Sequence, residues 1–309
     1  MKLQDRYEIR DQLGRGGMGV VYRAYDTLMK REVALKTILD VDNTIVMDLF
    51  YKEWGVQAAI VHPNVAEIYD IGELEHEGQR KPFFVMPLLP GVGLDVLISE
   101  RSPRLTVPRT VNIFDQACRG LQAAHERGLI HRDLKPSNLF VMEDDSVKLI
   151  DFGIAHVAET GAKTSLKGTL SYMAPEQLKM EQPTARSDVF SLGVTSYESF
   201  CCRRPFRGKT DYEIRHAILH QIPPPIAEHN PSVNDAISQV VHKALAKDPW
   251  HRFGTAREFG EALQKALRNE PLEIFSGEKI KPRLDRASKA FEESDYEFAS
   301  EIIAELEAE

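Results

Sequence analysis

Between residues 131 and 153 the chain has little freedom left. His131-Arg132-Asp133-Leu134-Lys135-Pro136-Ser137-Asn138 is followed, after one short predicted strand, by Asp151-Phe152-Gly153. Asp133 offers an oxygen to a hydroxyl. Asn138 and Asp151 offer the hard oxygen ligands that small divalent cations need beside phosphates. An isolated Asp-Phe-Gly says little, but behind this octapeptide and in this order it points to phosphoryl transfer.

A chain of 309 residues, 42% hydrophobic and 28% charged, is long enough for two packed lobes and a short extra piece. The formal charge of −8 is unevenly spread, because residues 270–309 hold 12 acidic and 5 basic side chains. Lys and Arg are not in excess and form no stripe broken by aromatics, so no nucleic-acid partner is expected. Cys118, Cys201 and Cys202 show no CxxC or Cys/His ligand spacing. They point to a reducing compartment and away from a structural zinc. The opening MKLQDRYEIR is too polar for a signal peptide, and no run approaches the roughly 18 apolar residues that cross a bilayer. The expectation is a cytoplasmic chain without a membrane segment.

From Tyr7 to about Pro87 the pattern is mostly strand-like: Tyr7-Glu8-Ile9, Val33-Ala34-Leu35-Lys36 and Val65 to Ile71 alternate, with turn residues between. One helix is predicted over 44–60, with Val46, Leu49, Phe50 and Glu53 at helical spacing. Gly55 lies inside it, at a cost of about 1 kcal/mol. Pro87-Leu88-Leu89-Pro90-Gly91 is an apolar connector that can act as a hinge. From Leu94 the period becomes helical. Val111, Phe114, Cys118, Leu121 and Ala124 form one stripe, and Val189–Phe200 reads as a helix buried nearly all round. Pro223-Pro224-Pro225 marks a loop, and Ser276-Gly277 opens the charged tail.

Leu13-Gly14-Arg15-Gly16-Gly17-Met18-Gly19-Val20-Val21 stands between two strand-like runs. Its glycines would let backbone N–H groups approach phosphate oxygens. A plain turn or a dinucleotide-binding loop fits the same letters, although the next predicted element is a strand, which disfavours the dinucleotide loop. The period-two rule sets Ala34 and Lys36 on one face of their strand. An inward lysine needs an anion, and Glu53 on the predicted helix is the natural partner.

Taken in order, these residues resemble the eukaryotic-type protein kinases, and more closely the bacterial serine/threonine branch, over residues 5 to about 270. Gly14 to Gly19 match the glycine-rich loop, Lys36 the strand lysine and Glu53 the helix glutamate. Asp133 matches the catalytic base, and Asn138 and Asp151 the metal ligands. Ala174-Pro175-Glu176 matches the end of the activation segment, Asp188 the anchor of the catalytic loop, and Arg252 the partner of Glu176. The resemblance implies an α+β, two-lobed kinase fold over 1–275. Its small N-lobe (1–86), mainly antiparallel β with one helix, is joined by a hinge (87–91) to a larger, mainly helical C-lobe (92–275).

The resemblance also implies ATP with Mg²⁺, or Mn²⁺ in its place, and protein substrates with Ser or Thr acceptors, since Lys135 and Thr169 follow the serine/threonine pattern. Val21 and Ala34 would lie above the adenine, Phe140 below it and Met86 behind it. The Leu89 N–H and the Pro87 carbonyl would meet the purine edge. Arg132 would receive a phosphate from the activation segment, on Thr164 first, then Ser165 or Thr160. Gln57 departs from the family by placing an amide in a stack otherwise made, by alignment, of Ile68, His131 and Phe152. A buried amide costs free energy unless paired, so low basal activity is expected. The competing classes are a pseudokinase or nucleotide-binding scaffold and, more distantly, a kinase of small metabolites. Pairing of two copies through the smaller lobes is a further implication.

Residues 276–309 read as an acidic extension holding a helical hairpin over 281–309. Leu284, Ala287 and Phe291 form one predicted stripe. Phe298, Ala299, Ile302, Ile303 and Leu306 form another, after the break at Ser294-Asp295. The Asp295-Tyr296…Ala299 spacing is similar to a tetratricopeptide unit. Such arrays need about three repeats, so that likeness implies more repeats in a longer protein and a protein partner for them.

Overall fold

The structure, a computed structural model, describes residues 2–3, 6–15, 19–38, 54–55, 57–76, 79–100, 105–152, 170–272, 286–292, 295–296, 298 and 300–303. Gly16, Gly17, Met18, Val46, Leu49, Phe50, Glu53, Thr160, Thr164, Ser165 and Thr169 lie outside the described residues. So do Ser276, Gly277, Leu284, Ser294, Ala299 and Leu306. Of the helix expected over 44–60, residues 54–55 and 57–60 are described: 54–55 and 57–58 are helical, while 59 is a turn and 60 lies outside the helix.

Six strands, β1 (Lys2–Leu3), β2 (Tyr7–Arg15), β3 (Gly19–Asp26), β4 (Arg31–Ile38), β5 (Asp70–His76) and β6 (Gln79–Pro87), make one antiparallel sheet in the order β1-β2-β3-β4-β6-β5. Alternation along β4 divides the two faces. Val33 and Leu35 pack with Tyr7, Ala24, Phe83 and Val85 in one buried cluster. Ala34 and Lys36 point the other way, in register with Met86 and Phe84. On that second face Trp54 packs edge-to-face on Phe84, with ring centroids 4.8 Å apart, and Ile68, Ile71 and Met86 complete the cluster. Two register shifts, between Ile9 and Asp11 and between Gln12 and Gly14, bend β2 over the sheet as bulges do.

The larger lobe is built on helices. Its elements are α1 (Leu94–Ser99), α2 (Val107–His125), α3 (Pro175–Leu178), α4 (Ala185–Cys201), α5 (Asp211–His220), α6 (Asp235–Ala244) and α7 (Ala256–Leu267). A three-stranded antiparallel sheet, β7 (Gly91–Gly93), β8 (Leu139–Met142) and β9 (Val147–Leu149), joins them. Thr106 caps α2 by accepting the Arg109 N–H. The stripe Val111, Phe114, Cys118, Leu121 and Ala124 is wholly buried in the lobe's one large core cluster. Helix α4 is buried on nearly every side although five of its buried residues are Ser or Thr. Thr195 and Ser199 each donate to the carbonyl four residues earlier, and Ser191 donates to the Tyr172 carbonyl at 2.7 Å, so their polarity is satisfied.

The expected strand over Val65–Ile71 is corrected: pairing on β5 begins only at Asp70. Upstream, Val65 bridges Leu149 in parallel, Leu149 N–H donates to the Asn64 carbonyl, and Ala66 N–H donates to the Leu149 carbonyl, both at 2.9 Å. These backbone groups bond across to the helical lobe and not to a strand neighbour. Val65 and Ala66 are accordingly both buried, which strict alternation forbids. Asn64 fixes the strap by donating to the carbonyl of Val147 at 2.9 Å and to Gln116 at 3.1 Å.

In the tail, residues 286–292, 296, 298 and 300–303 are helical. The predicted stripes need correction. Ala287, Ala290 and Ile302 are buried, while Phe291, Phe298 and Ile303 are exposed. Phe291 instead meets Tyr296 edge-on, with centroids 5.3 Å apart, so the aromatic pair brackets the break. Among the described residues no helix is long and apolar enough to cross a membrane.

The strap depends on a close approach to α2. A Cβ at Gly120 would stand 2.5 Å from the Asn64 carbonyl oxygen, a backbone atom already engaged with Leu149. Gly120→Ala is expected to destabilise the chain by about 1–3 kcal/mol, as overpacking does, despite alanine's better helix propensity. A urea midpoint that rises or stays fixed would contradict this account of the strap.

Candidate active site

The turn between Leu129 and Leu139 is held from below. Asp188, 1% exposed on α4, accepts the backbone N–H groups of His131 at 2.7 Å and Arg132 at 2.8 Å. It also meets His125 Nε2 at 2.7 Å. A carboxylate only accepts, so that ring nitrogen carries the proton. Arg132 sits at φ 65, a left-handed conformation that non-glycine residues adopt only when the surroundings impose it. The two bonds to Asp188 supply that imposition, and Asp133 follows directly.

Asp133 is the centre of a small polar group. Its Oδ2 receives Lys135 Nζ at 2.7 Å, and Asn138 Nδ2 donates to its carbonyl at 2.7 Å and to Oδ2 at 3.3 Å. Among the described residues, Asp133 Oδ1 is buried with no hydrogen-bond partner. Asn138 thereby uses its amide N–H end inside the protein, which leaves Oδ1 as its acceptor end. Ile150 N–H donates to the Asn138 carbonyl at 3.1 Å, so the start of the Asp151-Phe152 segment is tied to the same turn.

Lys36 closes the site from the sheet, with Nζ 2.6 Å from Asp151 Oδ1. Burial would raise the Asp151 carboxyl, but the charge of Lys36 and its hydrogen bond, then the charge of Lys135, outweigh burial and hold it below the ordinary aspartate range. Asp151 is itself left-handed, at φ 56. Beneath it the His131 and Phe152 rings lie 4.5 Å apart. His131 Nε2 lies 3.1 Å from the Ile150 carbonyl. Burial pushes the His131 pKa down against the opposing charges of Asp188 and Asp133, so the ring is neutral and donates that proton.

The other sequence-selected positions fall around this group. Val21 is in register with Lys36, and Ala34 with Met86. Pro87 ends β6, Leu89 follows it, and Phe140 pairs with Gly93 across β7 and β8. Leu13, Gly14 and Arg15 end β2, and Gly19, Val20 and Val21 begin β3. Among the described residues a side chain at Gly14 would meet no atom within 4 Å, so packing does not require glycine there. Glu53 lies outside the described residues, and the described partner of Lys36 is Asp151. Gln57 is buried, at 5% exposure.

Glu176 and Arg252 form a bidentate pair at 2.7 and 2.8 Å, with side chains 6% and 0% exposed. Ser187 also donates to Glu176 at 2.6 Å. Sequence reasoning missed the contacts that lock this platform to the turn. Gln177 donates to the Arg132 carbonyl at 3.1 Å while accepting the Ala174 N–H at 2.9 Å. Tyr172 donates to Glu198 at 2.6 Å, and Arg204 reaches Ser171 at 3.2 Å. No local spacing signals the pairing of Gln177 with Arg132, Tyr172 with Glu198 or Arg204 with Ser171.

The residues that cluster at Asp133, Asn138 and Asp151 place the chain in a class. A model of the protein kinase domain matches residues 7–266, and the chain belongs to that family. Its relatives include the serine/threonine-protein kinase PknB of Mycobacterium tuberculosis, 36% identical over 280 residues that cover 88% of this chain and 44% of that one. PknB of Mycobacterium leprae is 34% identical over 278 residues, covering 88% and 44%. The chain thus spans less than half the length of these curated relatives. A crystal structure of the Mycobacterium tuberculosis PknI kinase domain superposes with a TM-score of 0.70 at 27% identity, covering 87% of this chain and 98% of that one. The fold is therefore that of a serine/threonine-type protein kinase domain, a family that uses ATP and a divalent metal ion.

Because burial alone would raise the Glu176 carboxyl, its value below the ordinary glutamate range comes from Arg252, and then from Ser187. A depressed carboxyl contributes stability above its unfolded pKa and loses it as pH falls through the folded value. Arg252→Ala is expected to cost about 3–5 kcal/mol near pH 7 by stranding a buried charge. The stranded Glu176 would then titrate above its ordinary value, so the variant's deficit should shrink as pH is lowered from 7 toward 5. Urea titrations at both pH values check this, and a deficit that stays constant would refute it.

Proposed function

We propose that this chain transfers the γ-phosphoryl group of ATP to serine or threonine hydroxyls of protein substrates. The observation that carries the reading is the joining of two groups: the Lys36–Asp151 pair and the Asp133–Lys135–Asn138 turn, whose buried Asp133 Oδ1 has no hydrogen-bond partner among the described residues. Asp133 Oδ1 is the acceptor that orients the substrate hydroxyl and takes its proton. Lys135 and Lys36 balance the negative charge that spreads over the transferring group.

The donor set fits a hard ion. Asn138 and Asp151 offer an amide oxygen and a carboxylate held in the ionised form. Among the described residues no cluster of three His, Cys, Asp and Glu forms a metal site by itself. Mg²⁺ keeps several waters and binds by one or two protein ligands plus phosphates, which matches this pair. Mg²⁺, or Mn²⁺ in its place, would supply charge neutralisation at the phosphate oxygens. The chain's own part is alignment, for which Val21, Ala34 and Met86 on the sheet and Phe140 on β8 are the adenine-facing residues. The backbone of Pro87 and Leu89 is the polar edge, and Gly14 to Gly19 form the phosphate loop.

The same reading assigns residues 1–275 to one kinase domain and gives Arg132 the task of receiving a phosphate on Thr164, Ser165 or Thr160. The buried amide of Gln57 supports low activity before that modification. Free Cys118, Cys201 and Cys202 favour a reducing compartment, hence cytoplasmic action. Self-association and a partner for the acidic 276–309 extension belong to the reading too, the extension's charge favouring a basic partner. A scaffold that binds nucleotide without reaction is disfavoured, since Lys36, Asp133, Asn138 and Asp151 are all present.

With labelled ATP and a generic protein substrate, the wild-type chain should transfer phosphate, and Asp133→Asn should lower the rate by at least about a hundredfold, the low end for losing a general base. Equal transfer by both would refute the assignment. Incubation with ATP should also place phosphate on Thr164, Ser165 or Thr160 by peptide mass spectrometry, with activity rising as it accumulates. Full activity with all three hydroxyls unmodified would remove the switch.

A further inference from the structure

Helix α5 carries a pair of histidines that the phosphoryl-transfer site does not use. His216 and His220 are four residues apart, so they share one face. Both are exposed, and their ring centroids lie 4.8 Å apart with planes at 53°. Two imidazoles bound to one ion at about 2.0–2.1 Å place their centroids roughly 5 Å apart. The observed ring spacing matches that distance.

The platform beneath the pair is fixed. Thr210 caps the N-terminus of α5 by accepting the Glu213 N–H at 3.2 Å, and Ala217 and Ile218 are wholly buried. Lys247 Nζ donates to the Ile218 carbonyl at 2.6 Å, and Gln221 N–H closes the last turn on the Ala217 carbonyl at 2.9 Å. Two ligands on a rigid helix lose less freedom on binding than two on a loop.

We propose that His216 and His220 bind a borderline divalent transition-metal ion of the copper and zinc class. Imidazole suits these ions, and the copper ion binds such nitrogen sites more tightly than zinc. Among the described residues no third His, Cys, Asp or Glu completes a cluster, so water fills the remaining positions. Helix α5 packs against the Leu170–Tyr172 turn and against α3. An ion clamped across its last turn stiffens the element behind that segment.

The test is calorimetric titration of the whole chain with Cu²⁺ and, separately, Zn²⁺, repeated on His216→Ala, His220→Ala and the double variant. Each single variant should weaken the site by at least about tenfold, the lower end of what losing even an outer-shell contact costs. The double variant should lose little more than either single one. Metal should raise the wild-type unfolding midpoint and leave that of the double variant unchanged. A smaller loss in either single variant, or an undiminished midpoint shift in the double variant, overturns the chelate. Should either alanine lower the metal-free midpoint, His216→Gln and His220→Gln replace them under the same criterion.

Discussion

The arrangement depends first on one carboxylate. Asp188 accepts two consecutive backbone N–H groups and a histidine ring proton. It does so from within α4, the most deeply buried helix of the larger lobe. Buried backbone N–H groups need partners, and here the partner also dictates conformation: the bonds hold Arg132 in a left-handed state it would otherwise leave. A displaced Asp188 would free Arg132 to relax toward the common region. Asp133, one residue on, would turn with it. The position of the acceptor oxygen is thus set by a residue 55 positions downstream of it.

A second left-handed residue, Asp151, stands on the other side of the same cleft. Strained backbone of this kind persists only where neighbours over-determine it. Around Asp151 those neighbours are the Ile150 contacts to Asn138 and His131, the Phe152 ring on His131, and Lys36. Strain and charge therefore meet at one place, with Arg132 directly before Asp133 and Asp151 paired with Lys36.

Much of this was legible in the linear chain. The octapeptide and the Asp-Phe-Gly pointed to phosphoryl transfer because Asp133, Lys135 and Asn138 lie close in sequence and bond to one another. Period two placed Ala34 and Lys36 together, and period 3.6 found the buried face of α2. Local pattern failed where long-range bonds overrode it. Val65 to Ile71 reads as a strand, yet its first residues bond to β9. The tail stripes misassigned Phe291, which is exposed and leans on Tyr296 across a break that no periodicity describes. The contacts of Gln177 with Arg132 and of Tyr172 with Glu198 join residues 45 and 26 positions apart, and no spacing rule reaches so far.

Two ion pairs show how similar bonds serve different ends. Glu176 and Arg252 are sealed from water and surrounded by further hydrogen bonds from Ser187 and to the carbonyls of Arg186, Ala246 and Lys247. Exchanging either partner for another ion would require opening the core. Lys36 and Asp151 meet at nearly the same distance, but their side chains are 17% and 26% exposed. Water reaches parts of both side chains, although the paired Asp151 Oδ1 is itself buried. The buried pair fixes a platform, whereas the Lys36–Asp151 pair lies at the edge of solvent between the sheet and the helical lobe.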